Sequence, residues 1–306
     1  MKFNAIRDFL AGAGRGSVRA GARQTGGSQQ AMSRSIQELE RELGVVLFER
    51  TGTGVQLTSM GKVFLRRASS VHNELRRAQE ELDQLRGETN GRLTMALSSV
   101  PHLALLPHVL RPFRQRYPRV TLDIIDAVFP HIELDLREGR IDGYIGPAPV
   151  EAGSDLLLEK LFDNTRLIVG RKGHPLGHAS SLRELVDAEW VSTSITHIAE
   201  DELGPLFMKH GLPSPQLRMQ LHSTLSFLVA LVYSDALMMV PVQWTQSPLL
   251  RDKVAPIQVR ELLPAPPICL IRRAGLPLTP AAEHFCDLVR RAVPHMEQVP
   301  GQVSAA

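Results

Sequence analysis

The chain has 306 residues, of which 43% are hydrophobic and 22% are charged, and its formal net charge is +3 at pH 7. This length allows two or three domains with hydrophobic cores, and the ordinary composition argues against a disordered, collagen-like or transmembrane chain. The first residues, MKFNAIRDFL, lack the apolar segment and small-residue cleavage site of a secretory signal. We therefore expect a cytoplasmic protein with no membrane partner.

The positive charge is concentrated near the amino terminus. Residues 1–90 contain 14 Lys and Arg against 10 Asp and Glu, a net charge of +4, whereas the rest of the chain has a net charge of −1. A basic segment favours a polyanionic partner, because each phosphate contact releases bound counterions. This difference of five charges gives modest support for nucleic-acid binding.

The sequence contains no pattern typical of an enzyme active site or a metal site. There is no nucleophile elbow, P-loop, HExxH motif or cluster of Cys and His. Cys269 and Cys286 lie among or beside apolar residues, so we predict buried, inert thiols and no disulfide. We accordingly predict no catalytic residue, no bound metal and no cofactor.

The residues from Ser28 to Leu43 predict an amphipathic helix, with Ser28 as its N-cap and Gly44 as its stop. An apolar stripe is formed by Met32, Ile36, Leu39 and Leu43, and the opposite stripe by Gln30, Arg34, Gln37 and Arg41, with Ser33 on the flank. Amides, hydroxyls and guanidinium groups suit phosphates and purine edges in a major groove. The alternative is an ordinary solvated helix face.

The segments around this helix favour DNA binding. A shorter helical segment from Ser17 to Thr25 and a Gly26-Gly27 turn precede it, and VLFERTGTGVQLT follows as a strand, a tight turn and a second strand. Helix, turn, helix and hairpin together predict a winged helix-turn-helix domain.

This segment resembles the amino-terminal domain of the LysR-type transcriptional regulators. The resemblance covers about sixty residues and is carried by Gly16, Ser17, Ser28, Gln29, Ala31, Ser33, Arg34, Ile36, Leu39, Glu40, Leu43, Gly44, Leu47, Phe48, Arg50, Leu57, Thr58 and Gly61. Gly21 and Thr25 stand where the family usually has Ala and Leu, and Gln30 replaces its usual Pro, so an altered DNA specificity is a point to test. Interior glycines should weaken the first two helices by about 1 kcal/mol each; the glycines concerned are Gly12, Gly14, Gly16 and Gly21.

Thr58 is placed to cap a long helix that runs to about Arg86. Its apolar residues follow a heptad pattern, namely Phe64, Ala68, Val71, Leu75, Ala78, Leu82 and Leu85. The pattern favours a two-stranded coiled coil over a helix that lies on its own domain. The resemblance implies that this linker helix pairs subunits into a homodimer, with a homotetramer as the larger assembly and RNA polymerase as a candidate partner.

After a predicted hinge at Gly87–Gly91, strands and helices alternate. RLTMAL, VTLDII and IDGYIG read as strands, separated by helical segments at Pro101–Tyr117 and Phe129–Glu138, and this order predicts a parallel sheet. A second such unit spans residues 165–264, before PPICLIRR and a helix at Pro280–Val293.

We predict a winged helix-turn-helix domain at 1–58, a linker at 59–90, and an effector domain at 91–306 with lobe I at 91–162 and 268–306 and lobe II at 163–267. The effector domain resembles the two-lobed, periplasmic-binding-protein-like α/β domain of the same family, through Gly139, Asp142, His174, Pro175, Leu176, Pro241, Pro280, Ala281, Ala282 and Phe285.

Hydroxyl-bearing residues follow several predicted strands, where ligands of α/β folds bind. Together they suit a small organic carboxylate or sulfonate as effector, although ordinary N-capping explains each one singly. The predicted effector-binding residues are Ser98, Ser99, Val100, Phe129, Ser194, Ile195, Thr196 and His222.

For DNA, we expect side chains near the start of the recognition helix to approach base edges, two arginines to bind phosphates, and the wing tip to reach the flanking groove. The predicted DNA-binding residues are Ser28, Gln29, Gln30, Ser33, Arg34, Gln37, Arg50, Thr51 and Thr53. The function expected is ligand-responsive transcriptional regulation as a homo-oligomer. The alternative is a solute-binding protein or an enzyme built on the two lobes.

Overall fold

A computed structural model describes residues 1–51, 54–129, 131–193, 199–221, 223–263 and 265–294. The chain divides into two compact units, which we call the head unit and the lobed unit. The head unit comprises Met1–Glu88 together with Leu134–Arg140, and the lobed unit comprises Thr89–Glu133 together with Ile141–Ala306.

The head unit contains the predicted winged helix-turn-helix. Its elements are α1 (Phe3–Arg15), α2 (Val18–Thr25), α3 (Gln29–Leu43), β1 (Phe48–Thr51), β2 (Gly54–Leu57) and α4 (Ser59–Leu85). The hydroxyls of Ser17, Ser28 and Thr58 cap the starts of α2, α3 and α4. The strands β1 and β2 form an antiparallel hairpin.

The close packing of α2 against α1 explains why a glycine stands at position 21, which the sequence alone did not show. A Cβ added at Gly21 would lie 2.8 Å from the backbone carbonyl group of Ala11, so a larger residue would push α2 away from α1. Gly16 has a φ of 59° and ends α1 in the left-handed conformation. These two glycines therefore permit the helix packing and the turn, whatever they cost in helix propensity.

The core of the head unit lies between α1, α3, the hairpin and the start of α4. The ring of Phe9 is fully buried, and its centroid lies 5.1 Å from those of Phe48 and Phe64. Met32, Ile36 and Leu39 of α3 are buried as predicted. Leu43 was expected on the same buried stripe, but it is 37% exposed because it lies in the last turn of α3, beyond the packed core.

Helix α4 changes its environment along its length. Ala68 is buried and Phe64 packs against the head core, whereas five apolar residues farther along are exposed. We call this set the α4 stripe; it consists of Val71, Leu75, Ala78, Leu82 and Leu85. The long helix is confirmed, but the predicted hinge at Gly87–Gly91 is too long, because Asn90 and Gly91 already belong to the next strand.

Residues 134–140 pack on α4 within the head unit. The Asn73 side-chain amide donates to the Glu138 carbonyl at 3.1 Å, and the buried Arg77 guanidinium donates to the Gly139 carbonyl at 2.7 Å. These carbonyls follow the end of α7 (Glu133–Arg137), where the helix dipole favours a cation. Arg77 thus provides a favourable charge at the end of a short helix.

Lobe I of the lobed unit is a mixed five-stranded sheet. Its order is β4 (Arg119–Asp126), β3 (Asn90–Leu97), β5 (Gly143–Pro147), β12 (Ile268–Arg273) and β6 (Leu156–Phe162). The predicted parallel pairing of β3 with β4 and β5 is confirmed. The sheet is not wholly parallel, because β12 returns from lobe II and lies between β5 and β6, antiparallel to both.

Lobe II is also less parallel than predicted. Strands β7 (Arg166–Arg171), β10 (Met238–Pro241) and β11 (Val254–Ile257) pair antiparallel, while β8 (Glu189–Thr193) and β9 (Gln216–Leu221) pair parallel. The sequence analysis missed β6 and β11, since β11 has only four residues and the seven residues of β6 do not alternate strictly between apolar and polar. The helical segments of lobe II are the 3₁₀ turn Leu182–Leu185, α8 (Ala199–Lys209), α9 (Thr224–Tyr233) and α10 (Gln243–Gln246).

Proline explains two differences among the helices. The single helix predicted at Pro101–Tyr117 is two, α5 (Ser99–Ala104) and α6 (Leu106–Arg116), because Pro107 starts a new helix and cannot donate a backbone hydrogen bond. The helix predicted from Phe129 is reduced to α7, since the residue before a proline avoids helical dihedral angles. Lobe I closes with α11 (Pro280–Ala292), close to the prediction.

Both cysteines are free and buried, which confirms the prediction. Burial raises the pKa of the Cys269 thiol and raises that of Cys286 to about 12, so both stay protonated and unreactive at neutral pH. Among the described residues, no set of three or more His, Cys, Asp or Glu side chains could hold a metal ion. In the same ranges, every helix is too short or too polar to cross a membrane.

Candidate DNA interface and candidate effector site

The outer face of α3 presents the predicted DNA-reading side chains. Gln29, Gln30, Arg34 and Gln37 are exposed, and Ser33 is half-buried. The Ser28 hydroxyl accepts a hydrogen bond from the Ala31 N–H at 3.1 Å, so its capping role is observed directly. The positive end of the α3 dipole lies at this same end of the helix, where it favours a phosphate.

The hairpin beside α3 is held by contacts that the sequence reading missed. The Glu40 carboxylate accepts hydrogen bonds from the N–H groups of Leu47 and Phe48, at 2.7 and 3.1 Å. The Val55 N–H donates to the Gly16 carbonyl at 3.1 Å, which ties the wing to the turn between α1 and α2. Glu40 lies four residues after the buried Ile36, and nothing in its local sequence indicated this role beyond its place in the family resemblance.

Part of the predicted wing lies outside what can be described. Thr51 is exposed at the end of β1, next to the hairpin tip. The backbone of Arg50 lies in β1. Its side chain and Thr53 lie outside the described residues, so their predicted contacts with phosphate and groove stay predictions.

In lobe I the predicted effector residues occupy three different environments. Ser98 is 3% exposed, and its N–H donates to the Ile145 carbonyl at 2.9 Å. The Ser99 hydroxyl accepts a hydrogen bond from the indole N–H of Trp244, in lobe II, at 3.3 Å. Val100 is only 1% exposed and belongs to the hydrophobic core of lobe I, so its position favours packing over ligand contact.

The two lobes also meet at a second polar contact. The Thr224 hydroxyl, at the start of α9, donates to the Asp126 carboxylate at the end of β4, at 2.7 Å. Phe129 is half-buried, and its ring centroid lies 5.8 Å from that of Tyr144. The remaining predicted effector residues lie outside the described residues; they are Ser194, Ile195, Thr196 and His222.

The structure adds residues that sequence reasoning did not select. Trp244 is buried and contacts Ser99, and Tyr144 is fully buried beside Phe129. Neither residue belongs to a group of polar residues that directly follows a strand, so the rule that selected the serines did not select them. The sequence analysis placed Tyr144 in the predicted strand IDGYIG and assigned it no further role.

These observations define a class of protein: a winged helix-turn-helix head with a long helix, joined to a two-lobed α/β domain. Residues 3–62 match the family described as bacterial regulatory helix-turn-helix protein, lysR family, and residues 86–294 match the LysR substrate binding domain. The chain belongs to the LysR family. It is a DNA-binding transcriptional regulator and not an enzyme, which excludes the alternative of an enzyme or a free solute-binding protein.

Curated relatives and solved structures agree with this assignment. The chain is 24% identical over 276 residues to the HTH-type transcriptional regulator TdcA of Escherichia coli K12, covering 90% of this chain and 88% of that one. It is 27% identical over 274 residues to the regulator GalR of Pseudomonas putida, covering 89% and 69% of the two chains. The structure of full-length CbnR in complex with its target DNA superposes with a TM-score of 0.68 at 23% identity, covering 95% of this chain and 100% of that chain. This likeness shows that the fold is that of a full-length LysR-family regulator.

Proposed function

We propose that this regulator works in the cytoplasm as a homodimer or homotetramer, which places two heads on one duplex and responds to a small organic carboxylate or sulfonate. The observation that carries the proposal is the exposed polar face of α3, next to a helix whose apolar stripe lacks a covering partner among the described residues. RNA polymerase remains a predicted partner. The proposed domains are 1–58, 59–90 and 91–306.

The proposed DNA contacts divide into two kinds. Gln29 and Gln30, exposed at the start of α3, approach base edges, and Gln37 lies on the same face farther along. Arg34 is exposed in the middle of this face and binds a phosphate, as Arg50 does from the hairpin. Phosphate contacts fix the register of the head, and base contacts choose the sequence.

The substitution Arg34→Ala tests the phosphate contact. We expect weaker binding to specific and random duplexes alike, with the slope of log affinity against log salt reduced by about one per subunit, because one phosphate contact is lost. The measurement is fluorescence anisotropy of a labelled duplex at several salt concentrations. Arg183→Ala, an exposed arginine of lobe II, is the matched control and should leave the slope unchanged; an unchanged slope for Arg34→Ala would remove this residue from the interface.

The exposed α4 stripe supports the proposed homo-oligomer. Leu75, Leu82 and Leu85 are 49%, 51% and 69% exposed, and contiguous exposed apolar residues mark surfaces that bind another protein. The stripe keeps the heptad spacing that a second α4 helix would match. Two heads on one duplex gain affinity because each reads its own half-site.

The contacts between the lobes support an effector at their junction. Ser99 and Trp244 link α5 to α10, and Thr224 and Asp126 link α9 to β4, so polar groups of both lobes lie at the carboxyl ends of the lobe I strands. A ligand that binds better to one arrangement of the lobes would shift the equilibrium by its difference in affinity, typically about 1–3 kcal/mol. That shift would reach DNA through the spacing of the two heads.

A thermal-shift screen tests the effector class on the full chain. Benzoate, benzenesulfonate and short aliphatic acids are added in turn, and a ligand at 100 times its Kd should add about 2.7 kcal/mol of stability. An acid that raises the melting temperature and also changes duplex affinity supports the proposal. If only neutral compounds do so, the acid class is wrong, while the assignment as a regulator stands.

A further inference from the structure

Two buried hydroxyl groups lie together at the carboxyl ends of the lobe I strands. Tyr144 is 0% exposed and Ser98 is 3% exposed, and neither hydroxyl proton has an acceptor among the described residues. Both oxygens lie beside Gly146, because a Cβ added there would be 2.1 Å from the phenol oxygen and 2.9 Å from the serine oxygen. The phenol oxygen therefore occupies the space that a side chain at position 146 would fill, and the serine oxygen lies next to the same space.

The strand geometry explains why the phenol reaches this edge. Tyr144 and Gly146 are two residues apart on β5, so they lie on the same face of the sheet. The Tyr144 side chain extends along that face toward the carboxyl end of β5, and the missing Cβ of Gly146 leaves room for its oxygen. Ser98 directly follows β3, the parallel neighbour of β5. Ligands of α/β sheets bind outside this edge.

Two unpaired buried hydroxyls are unfavourable unless something binds to them. Each destabilises the folded protein when it is left without a partner, and the great majority of buried polar groups in native proteins are paired. Burial raises the pKa of Tyr144 far above its usual range, and a hydrogen bond from the Phe129 backbone N–H to the phenol oxygen opposes this by a smaller amount. That bond leaves the phenol O–H itself without an acceptor. The phenol therefore keeps its proton at physiological pH, and it can donate a hydrogen bond as the serine hydroxyl can.

We infer that Tyr144 determines effector specificity, its phenol O–H acting with the Ser98 O–H to bind an acid oxygen of an aromatic carboxylate or sulfonate. The inference rests on the proposed function, since it assumes an effector at this edge of lobe I. An aromatic ligand is favoured because Phe129 is half-buried with its ring 5.8 Å from that of Tyr144. The Phe129 ring thus lies next to that of Tyr144 and offers an aromatic surface that a ligand ring can contact.

The substitution Tyr144→Phe in the full-length protein tests this inference. The variant keeps the ring and removes only the phenol oxygen. In the ligand-free protein its melting temperature should equal or exceed that of the wild type, because an unpaired hydroxyl is lost. Its affinity for benzoate and benzenesulfonate, measured by calorimetry, should fall by about 10- to 100-fold, the loss of one hydrogen bond to a charged group.

The matched control is Tyr233→Phe, at the exposed end of α9, where Tyr233 is 83% exposed. It should change neither the melting temperature nor the affinity. Ser98→Ala should weaken acid binding as Tyr144→Phe does.

Three results overturn the inference. Equal acid affinity of Tyr144→Phe and the wild type removes the phenol from the site. A clearly lower melting temperature of the ligand-free variant shows that the phenol already has a partner, such as an ordered water. A wild-type protein that binds neither acid, but responds to another compound equally well with and without the phenol, refutes the inference and leaves the proposed ligand response intact.

Discussion

Leu75→Lys is expected to turn the protein into a monomer and to lower its affinity for a two-site duplex by at least about 100-fold. Leu75 lies within the α4 stripe, between Val71 and Ala78, and is 49% exposed in the single chain. In a paired helix it would contact its symmetry mate, and two ammonium groups there would be desolvated and would repel each other. A monomer binds each half-site separately and loses the gain of linked binding, which commonly reaches 100-fold or more.

The measurements are light scattering for the mass in solution and anisotropy for duplex affinity. Ser70→Lys is the matched control, because it adds the same charge to another face of α4, where the Ser70 hydroxyl donates to the Arg66 carbonyl of the same helix. The control should remain oligomeric. A Leu75→Lys variant that keeps its mass and its affinity would show that the α4 stripe does not pair subunits.

Gly61→Ala should destabilise the head unit by about 3 kcal/mol, near the upper end of the usual cost of overpacking. A Cβ at Gly61 would lie 2.1 Å from the Leu47 carbonyl oxygen, and that oxygen also accepts the Thr58 N–H at 3.0 Å. The Leu47 carbonyl belongs to the backbone and cannot change rotamer as a side chain can, so the start of α4 must move away from the hairpin. DNA affinity should fall as well, because the hairpin loses its support.

Hydrogen exchange of the head amides in the full chain reports this local free energy. Gly14→Ala is the matched control: Gly14 lies in the last turn of α1 with no described atom within 4 Å of an added Cβ. The control should slow exchange slightly, since alanine favours a helix by up to about 1 kcal/mol over glycine. Faster exchange in Gly14→Ala, or unchanged exchange in Gly61→Ala, would contradict this reading of the packing.

The head could be predicted from the sequence nearly residue by residue because its signals are local. In the structure α3 begins directly after Ser28 and ends directly before Gly44, as the sequence pattern predicted. Thr58 likewise caps α4. Periodicity also placed Met32, Ile36 and Leu39 in the core. Such caps and stripes depend only on neighbours in the chain, so tertiary contacts rarely overturn them.

The candidate effector site could be predicted only in part, because it depends on contacts between distant strands. The rule for α/β sheets pointed to Ser98 and Ser99 from their place after a strand. Nothing local showed that Trp244 bonds Ser99, or that Gly146 makes room for Tyr144. The pairing of β12 with β5 and β6 likewise joins strands that are far apart in the chain. For this reason the order of strands along the sequence predicted more parallel sheets than the structure contains.

The central claim is that paired α4 helices place two α3 helices on one duplex. It is tested most directly by the mass of the complex with a duplex enriched from random sequence, measured by light scattering, together with its affinity at several salt concentrations. We predict at least two chains per duplex and an affinity that falls steeply as salt rises. One chain per duplex, or an affinity that does not change with salt, would contradict the claim.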